Sequence, residues 1–295
     1  MQPSTPSCVP RPRAISVQSL GSGSSGNAFL ITTGTDTLLI DCGVGIRTLT
    51  ASLRKRNIAI NEISAICITH EHSDHIRTLP KVMHEGATFY STRGTASRSA
   101  LPMERHQRAI EDVPVWIAGV AIWSLPVAHD AMEPCGFMAE LPDGSRVTML
   151  TDLGSWQESL REFVRASDLI ILEANHDEEM LRLGPYPTYL KRRVASNTGH
   201  LSNRHCGLAL GEALRGSTHH PQIWLAHLSE HNNRPDLAEE TVRSLLAERE
   251  LDLAVTALPR RSPSEIWTPG ERSGTPQTFN RMRPQKVEQL GFDLF

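Results

Sequence analysis

With 295 residues the chain can bury a core without covalent staples, and its net charge of −3 excludes a protein coated in basic residues, so any nucleic-acid contact has to be a local patch. The five cysteines (Cys8, Cys42, Cys67, Cys135, Cys206) are scattered, with no CxxC pair, which excludes a zinc knuckle or redox couple and fits reduced thiols. No stretch reaches the roughly eighteen apolar residues of a membrane span, and residues 1–13 lack a signal-peptide core, so a cytoplasmic protein is expected.

In chain order, Ala14–Leu20 reads as a strand running into the loop Gly21-Ser22-Gly23-Ser24-Ser25-Gly26-Asn27, and Ala28–Thr32 with Thr37–Ile40 reads as a hairpin about Gly34-Thr35-Asp36. Helical spacing over Gly45–Arg56 (Ile46, Leu49, Leu53) precedes a short buried strand, Ala65–Thr69, that ends on a histidine cluster. Residues 91–111, with Arg93, Arg98, Arg105 and Arg108 among small polar residues, read as an exposed basic stretch. Strands follow at Val120–Val127, Gly136–Leu141 and Val147–Leu150, the last two joined by the turn Pro142-Asp143-Gly144-Ser145. From Ser155 the pattern alternates: a helix to about Ala166, a strand at Asp168–Glu173, two helical pieces about Gly184-Pro185, a helix at Ser202–Arg215, a strand at Gln222–Ala226 and a helix at Pro235–Glu248. Hairpins first and crossover units later predict an α/β fold, a four-layer αββα sandwich of two mixed sheets over residues 14–257. Residues 1–13 and 258–295, rich in proline, serine and arginine without periodicity, are expected to be loosely ordered or draped on the domain.

The sequence His70-Glu71-His72-Ser73-Asp74-His75 packs four ligand-type side chains into six residues at a strand end, a density that suits a pair of zinc, manganese or iron ions. A pair needs more donors than one loop supplies. Three further candidates each follow a strand: His129, Asp152 and His227. Taken singly, a lone histidine is more often a satisfied partner of nearby polar groups; the joint placement of the three carries the expectation.

The HxHxDH box, preceded by Leu39-Ile40-Asp41-Cys42-Gly43 and followed by a lone histidine, an aspartate and a final histidine, resembles the metallo-β-lactamase superfamily over residues 14–250. The resemblance implies one metal on His70, His72 and His129, a second on Asp74, His75 and His227, and Asp152 bridging them. It places Asp41 behind the ligands as an orienting group, although a turn aspartate before Gly43 explains it equally well alone. The boxes Ser19–Asn27, Glu173–Asp177, Gly199-His200-Leu201-Ser202-Asn203 and Ala226–Asn233 resemble the YycJ/WalJ branch, whose members are double-stranded DNA exonucleases running 5′ to 3′. The spacing from Asp152 to His227 is too short for the inserted domain of the ribonuclease J type.

These readings predict a hydrolase with two divalent ions (zinc or manganese, iron also fitting) and DNA as substrate. Two such cations about 3.5–4 Å apart lower the pKa of a shared water and hold a phosphate oxygen, with the bridging hydroxide as nucleophile. Catalytic roles are expected for Asp74 and His200, with Asp41 in support; His200 either bonds the phosphate or caps the following helix. Ser202, Asn203, Arg93 and Arg98 are expected beside the substrate, and Lys191-Arg192-Arg193 is a second candidate for phosphate contacts. Glu173 sits either near the metals or as a buried or capping acid. The rival activities are a small-molecule cyclic phosphodiesterase and a thioester or lactone hydrolase of the same fold.

Overall fold

The computed structural model describes residues 13–84, 86–111 and 113–270. Three N-terminal strands, β1 (Arg13–Gly21), β2 (Ala28–Gly34) and β3 (Asp36–Ile40), pair antiparallel. The turn between β2 and β3 is tight because Gly34 adopts a left-handed φ of 63° that a side chain would disfavour. Three parallel strands then extend the sheet: β4 (Ala65–Cys67), β5 (Thr88–Ser91) and β6 (His106–Arg108). Parallel pairing requires crossovers. Those crossovers carry α1 (Ile46–Lys55), then α2 (Ser73–Ile76) and α3 (Leu79–Val82), then α4 (Arg93–Arg98).

The second sheet repeats this plan. An antiparallel meander of β7 (Val115–Ile117), β8 (Val120–Pro126), β9 (Cys135–Glu140) and β10 (Arg146–Leu150) is continued in parallel by β11 (Leu169–Glu173), β12 (Gln222–Ala226) and β13 (Val255–Ala257). Its crossovers hold α5 (Arg161–Arg165), α6 (Glu178–Leu183), α7 (Thr188–Val194), α8 (Asn203–Ala213) and α9 (Pro235–Ala247).

Strand alternation sorts the apolar side chains into layers. Phe29, Ile31, Leu38 and Ile40 of one sheet meet Ile122, Phe137, Ile171 and Trp224 of the other in a central core. The opposite faces of the same strands, through Leu30, Leu39 and Ile66, pack under α1 and α3 with Leu49, Leu53 and Val82. Leu150, Ile170, Leu172 and Leu225 lie under α5, α8 and α9 with Phe163, Leu210 and Val242. This is the expected αββα sandwich, with helices outside both sheets. Each buried aliphatic side chain contributes about 1.5–3 kcal/mol, so strands of near-continuous apolar sequence, such as Leu169-Ile170-Ile171-Leu172, hold both interfaces at once.

One expectation needs correction, and one is narrowed. Residues 91–111 are not uniformly exposed, since Ser91, Thr95, Ala96, Leu101 and Ala109 are buried and the segment contains α4 and the edge strand β6. Of the two alternatives expected from Leu258 onward, loose or draped on the domain, residues 258–270 take the draped one. Leu258 is buried and its N–H bonds Leu225 O at 2.8 Å, Ser264 N–H bonds Ser19 O at 2.9 Å, and Trp267 exchanges two 2.9 Å bonds with Val17. Residues 258–270 therefore cross from the second sheet to β1, covering an edge strand. Composition could not show this, because two apolar anchors set among prolines and serines make no period. The remainder of the expected tail, and residues 1–12, lie outside the described residues.

Candidate metal centre

The histidine box occupies the turn after β4 and the single turn of α2, with His72 at the helix N-cap position. A cradle from the preceding strand ends holds it. The Asn27 amide bonds Asp74 O at 2.8 Å, and the Cys42 amide bonds His75 O at 2.7 Å. Gly43 is required at this contact, since a Cβ there would lie 1.5 Å from Asp74 O. Asp41, at the end of β3, accepts from the Thr69 amide and hydroxyl, both at 2.9 Å, and from His75 Nδ1 at 2.8 Å. That last bond fixes the tautomer, leaving the lone pair of His75 on Nε2. The Thr69 hydroxyl likewise engages His70 Nδ1 at 3.0 Å.

The other three candidates come from the second sheet. His129 follows β8 and donates from Nδ1 to Gly199 O at 3.1 Å; Asp152 follows β10; His227 follows β12. Asp41, Asp152 and His227 have left-handed φ values of 56°, 57° and 55°. Non-glycine residues seldom adopt this region, which costs on the order of 1–2 kcal/mol each, and here it turns three side chains from their strands into one centre.

His70, His72 and His129 place one ligand atom each within 4.8 Å of one another, and so do Asp74, His75 and His227. In the first group His129 Nε2 faces His72 Nδ1 at 3.3 Å; in the second, Asp74 Oδ2 lies 3.5 Å from His75 Nε2 and 3.4 Å from His227 Nε2. Donors about 2.0–2.1 Å from a tetrahedral ion are separated by about 3.4 Å, so these spacings are those of ligands to a divalent cation. Asp152 sits between them, 3.1 Å from His75 Nε2 and 3.8 Å from His129 Nε2. His70 Nε2, His227 Nε2 and Asp152 Oδ2 are buried without a hydrogen-bond partner; the short Asp152–His75 approach is not aligned as one. Inward-facing donors without partners are costly unless a ligand completes them, so the cluster fits divalent metal binding.

The electrostatics agree. Burial alone would lower His75 and His227, but Asp152 foremost, with Asp41 at His75 and Asp74 and Glu173 at His227, raises both well above the ordinary imidazole value. Burial alone would also raise Asp74 and Asp152; their neighbouring imidazoles hold both carboxyls well below the usual range. The carboxylates thus favour positive charge in the centre. His70, by contrast, is lowered by burial and by His75.

Glu173 is the residue whose importance the sequence understated. Wholly buried at the end of β11, its Oε1 accepts from His227 Nδ1 at 2.7 Å and His200 Nδ1 at 2.9 Å, while Oε2 accepts from the Leu153 and Leu201 amides. It orients two imidazoles at once. Asn27 is another unexpected participant. Its Oδ1 accepts from the Gly23 amide, its Nδ2 approaches His75 Nε2 at 3.1 Å, and Ser22 Oγ accepts from the His227 amide. The glycine-serine loop therefore braces both halves of the cluster. The signal was present in the run ending at Asn27, but local sequence could not name what it faces.

A cleft of about 200 Å³ opens over the cluster, lined by His72, Asp74, His129, Asp152, His200 and His227, with Arg193 and Leu190 of α7 on one wall. His200 joins the centre, its ring 5.2 Å from that of His129 and 5.1 Å from that of His227. Ser202 and Asn203 do not face this cleft, contrary to the expectation. Ser202 is buried as the N-cap of α8 and donates to Glu178, while Asn203 exchanges bonds of 2.9 and 2.8 Å with the Asn233 side chain. Two short polar residues at a helix start are claimed by capping and loop locking. Arg93 and Arg98 are exposed on α4 and do not line the cleft.

The fold and this ligand constellation define a metallo-β-lactamase-fold hydrolase. Residues 36–219 match the family of the β-lactamase superfamily domain, and the chain belongs to it. Within that superfamily it is similar to the exodeoxyribonuclease YycJ of Bacillus anthracis, at 32% identity over 78% of this chain and 88% of the relative. It is also similar to the exodeoxyribonuclease WalJ of Streptococcus pneumoniae, at 34% identity over 80% and 90%. Among solved structures, the metallo-β-lactamase fold protein YhfI of Bacillus subtilis superposes with a TM-score of 0.63 at 18% identity, covering 86% of this chain and all of that one. Zinc-bound PqqB of Methylobacterium extorquens superposes with a TM-score of 0.61 at 17% identity, covering 85% of this chain and all of that one. These two show the shared fold. No helix among the described residues is long and apolar enough to cross a membrane.

Proposed function

We infer that this protein is a two-metal-dependent phosphodiesterase acting as an exonuclease on DNA. One observation carries the reading: two relatives named exodeoxyribonucleases match at 32–34% identity across 88–90% of their own length. The geometry supports it. His70, His72 and His129 would hold one cation and Asp74, His75 and His227 the other, with Asp152 between them. Bound zinc or manganese, with iron also compatible, would supply Lewis acidity toward a phosphate oxygen and a water of lowered pKa.

The protein's own groups do the rest. Asp41 and Glu173 hold the tautomers of His75 and His227, so that their Nε2 atoms face inward. Glu173 also holds Nδ1 of His200, leaving Nε2 as the ring nitrogen available to the cleft. Burial lowers the His200 pKa and Glu173 raises it, and the Nε2 atom left free by Glu173 would bond a phosphate oxygen or give a proton to the leaving oxygen.

The test is incubation of end-labelled duplex DNA, RNA of the same sequence, a cyclic nucleotide and a thioester with wild type and Asp74→Ala, across zinc, manganese and chelator. The expected result is metal-dependent shortening of DNA from an end, with the variant slower by about 100-fold or more. Thioester turnover with DNA untouched, or equal rates for the variant, overturns the reading.

A further inference from the structure

The wall of the cleft formed by α7 has no part in holding metals, yet it is built with care. Its last carbonyls are pinned to the loop that carries His200: the His200 amide bonds Val194 O at 2.8 Å and the Ser196 amide bonds Arg193 O at 3.2 Å. Gly199 is needed there, since a Cβ would lie 2.2 Å from Arg193 O. Lys191 Nζ ties the helix to Arg182 O of α6 at 2.7 Å. The helix is thus fixed relative to the catalytic cluster.

On this fixed helix, Arg193 donates from Nε to Asp130 Oδ2 at 2.7 Å, across from α7 to the loop after His129. Among the described residues, its two terminal amino groups have no partner, although the side chain lines the cleft. A guanidinium held by Nε with its fork free suits phosphate oxygens. One turn earlier, Tyr189 is 74% exposed. Residues four apart share a helix face with Cβ atoms about 6 Å apart, a spacing like that between a nucleotide's phosphate and its base. An exposed aromatic ring beside a free guanidinium is the pairing that binds single nucleotides without reading sequence.

The geometry points to α7 as the element that seats the terminal nucleotide, with Arg193 holding a phosphate, Asp130 positioning Arg193, and Tyr189 stacking on the base. This deepens the nuclease reading, on which it rests for the identity of the substrate. It also separates a nucleic-acid end from a bare phosphodiester, which offers Tyr189 no base.

Binding measured by fluorescence anisotropy tests it on the metal-loaded protein. One probe is a short 5′-phosphorylated DNA with phosphorothioate terminal linkages, which resist turnover; the other is the same DNA with an abasic terminal nucleotide. Tyr189→Ala is expected to weaken binding of the intact end about tenfold and leave the abasic end unchanged, and Tyr189→Phe to restore the intact end. Arg193→Ala is expected to weaken both about tenfold or more, whereas Arg215→Ala, which removes the same charge at a residue that does not line the cleft and pairs with Glu212, changes neither. Both key side chains are exposed, so folding survives. Equal effects of Tyr189→Ala on the two ends, an Arg193→Ala effect no larger than that of Arg215→Ala, or no binding by wild type overturns the inference. Binding with the expected pattern but no DNA cleavage in the activity assay sinks the nuclease reading alone, and cleavage without the pattern sinks only this one.

Discussion

Glu173→Gln changes one atom at the point where the two halves of the site are coupled. The carboxylate accepts four hydrogen bonds, from His200 Nδ1, His227 Nδ1 and the amides of Leu153 and Leu201, and its burial leaves no water to substitute. Glutamine supplies one acceptor oxygen and one donor amide, so in either orientation two of the four donors meet an N–H. If the amide nitrogen faces the imidazoles, His227 must present a lone pair at Nδ1 and carry its proton on Nε2, the atom 3.4 Å from Asp74 Oδ2. That proton occupies the position a metal would take. If it faces the backbone, the loops after Asp152 and His200 lose their anchor. In the backbone-facing orientation two buried hydrogen bonds lost at about 1–3 kcal/mol each predict a fall in stability of about 2–6 kcal/mol; in the imidazole-facing orientation the wrong tautomer predicts metal affinity lower by about 10–100-fold. Urea unfolding of the metal-free protein reads the first; competition for zinc against a chromophoric chelator reads the second. Affinity within about twofold of wild type, together with stability within about 0.5 kcal/mol, refutes the reasoning.

Two further outcomes are expected. Trp267→Ala removes the anchor of the strap on β1; a buried tryptophan truncated to alanine predicts a loss of about 3 kcal/mol, read as a lower urea midpoint with faster proteolysis at Arg260 and Arg261, and an unchanged midpoint counts against a structural strap. His176, 3% exposed, is held down at about 4 by burial, which outweighs the pull of Glu173. The unfolded imidazole titrates near 6.5, so the unfolded state binds more protons below that pH. The contribution is complete above about pH 6.5 and is lost as pH falls toward 4, to a total of about 3 kcal/mol. Unfolding of the metal-free protein across this range should show wild type losing stability more steeply than His176→Gln, and parallel profiles would remove His176 as the cause.

Much of the fold was legible because its signals are local. The β-rich apolar stretches of β2 and β3, the continuous apolar run of β11 and the spacing of α9 each reflect which faces must be dry, and dryness is written residue by residue. The short elements escaped: β6 and β7 are edge strands of three residues, too brief for any period, and α2 and α3 are single turns fixed by what they pack against. The candidate ligands stood out for a related reason, since His129, Asp152 and His227 each end a recognisable strand.

Local chemistry could not tell which polar residues face the cleft and which face one another. Ser202 and Asn203 lie in the same box as His200, yet the helix start and Asn233 claim them, while Arg193 was one charge in a run until Asp130 singled it out. By itself the sequence determined the layers, the strand ends and the donor types, because burial pattern and side-chain chemistry are properties of single residues and near neighbours. Only the tertiary structure decided that Glu173 joins His200 to His227, that residues 258–270 close the β1 edge, and that α7 walls the cleft. Each of these depends on the distance and angle between segments far apart in the chain, which no local pattern encodes.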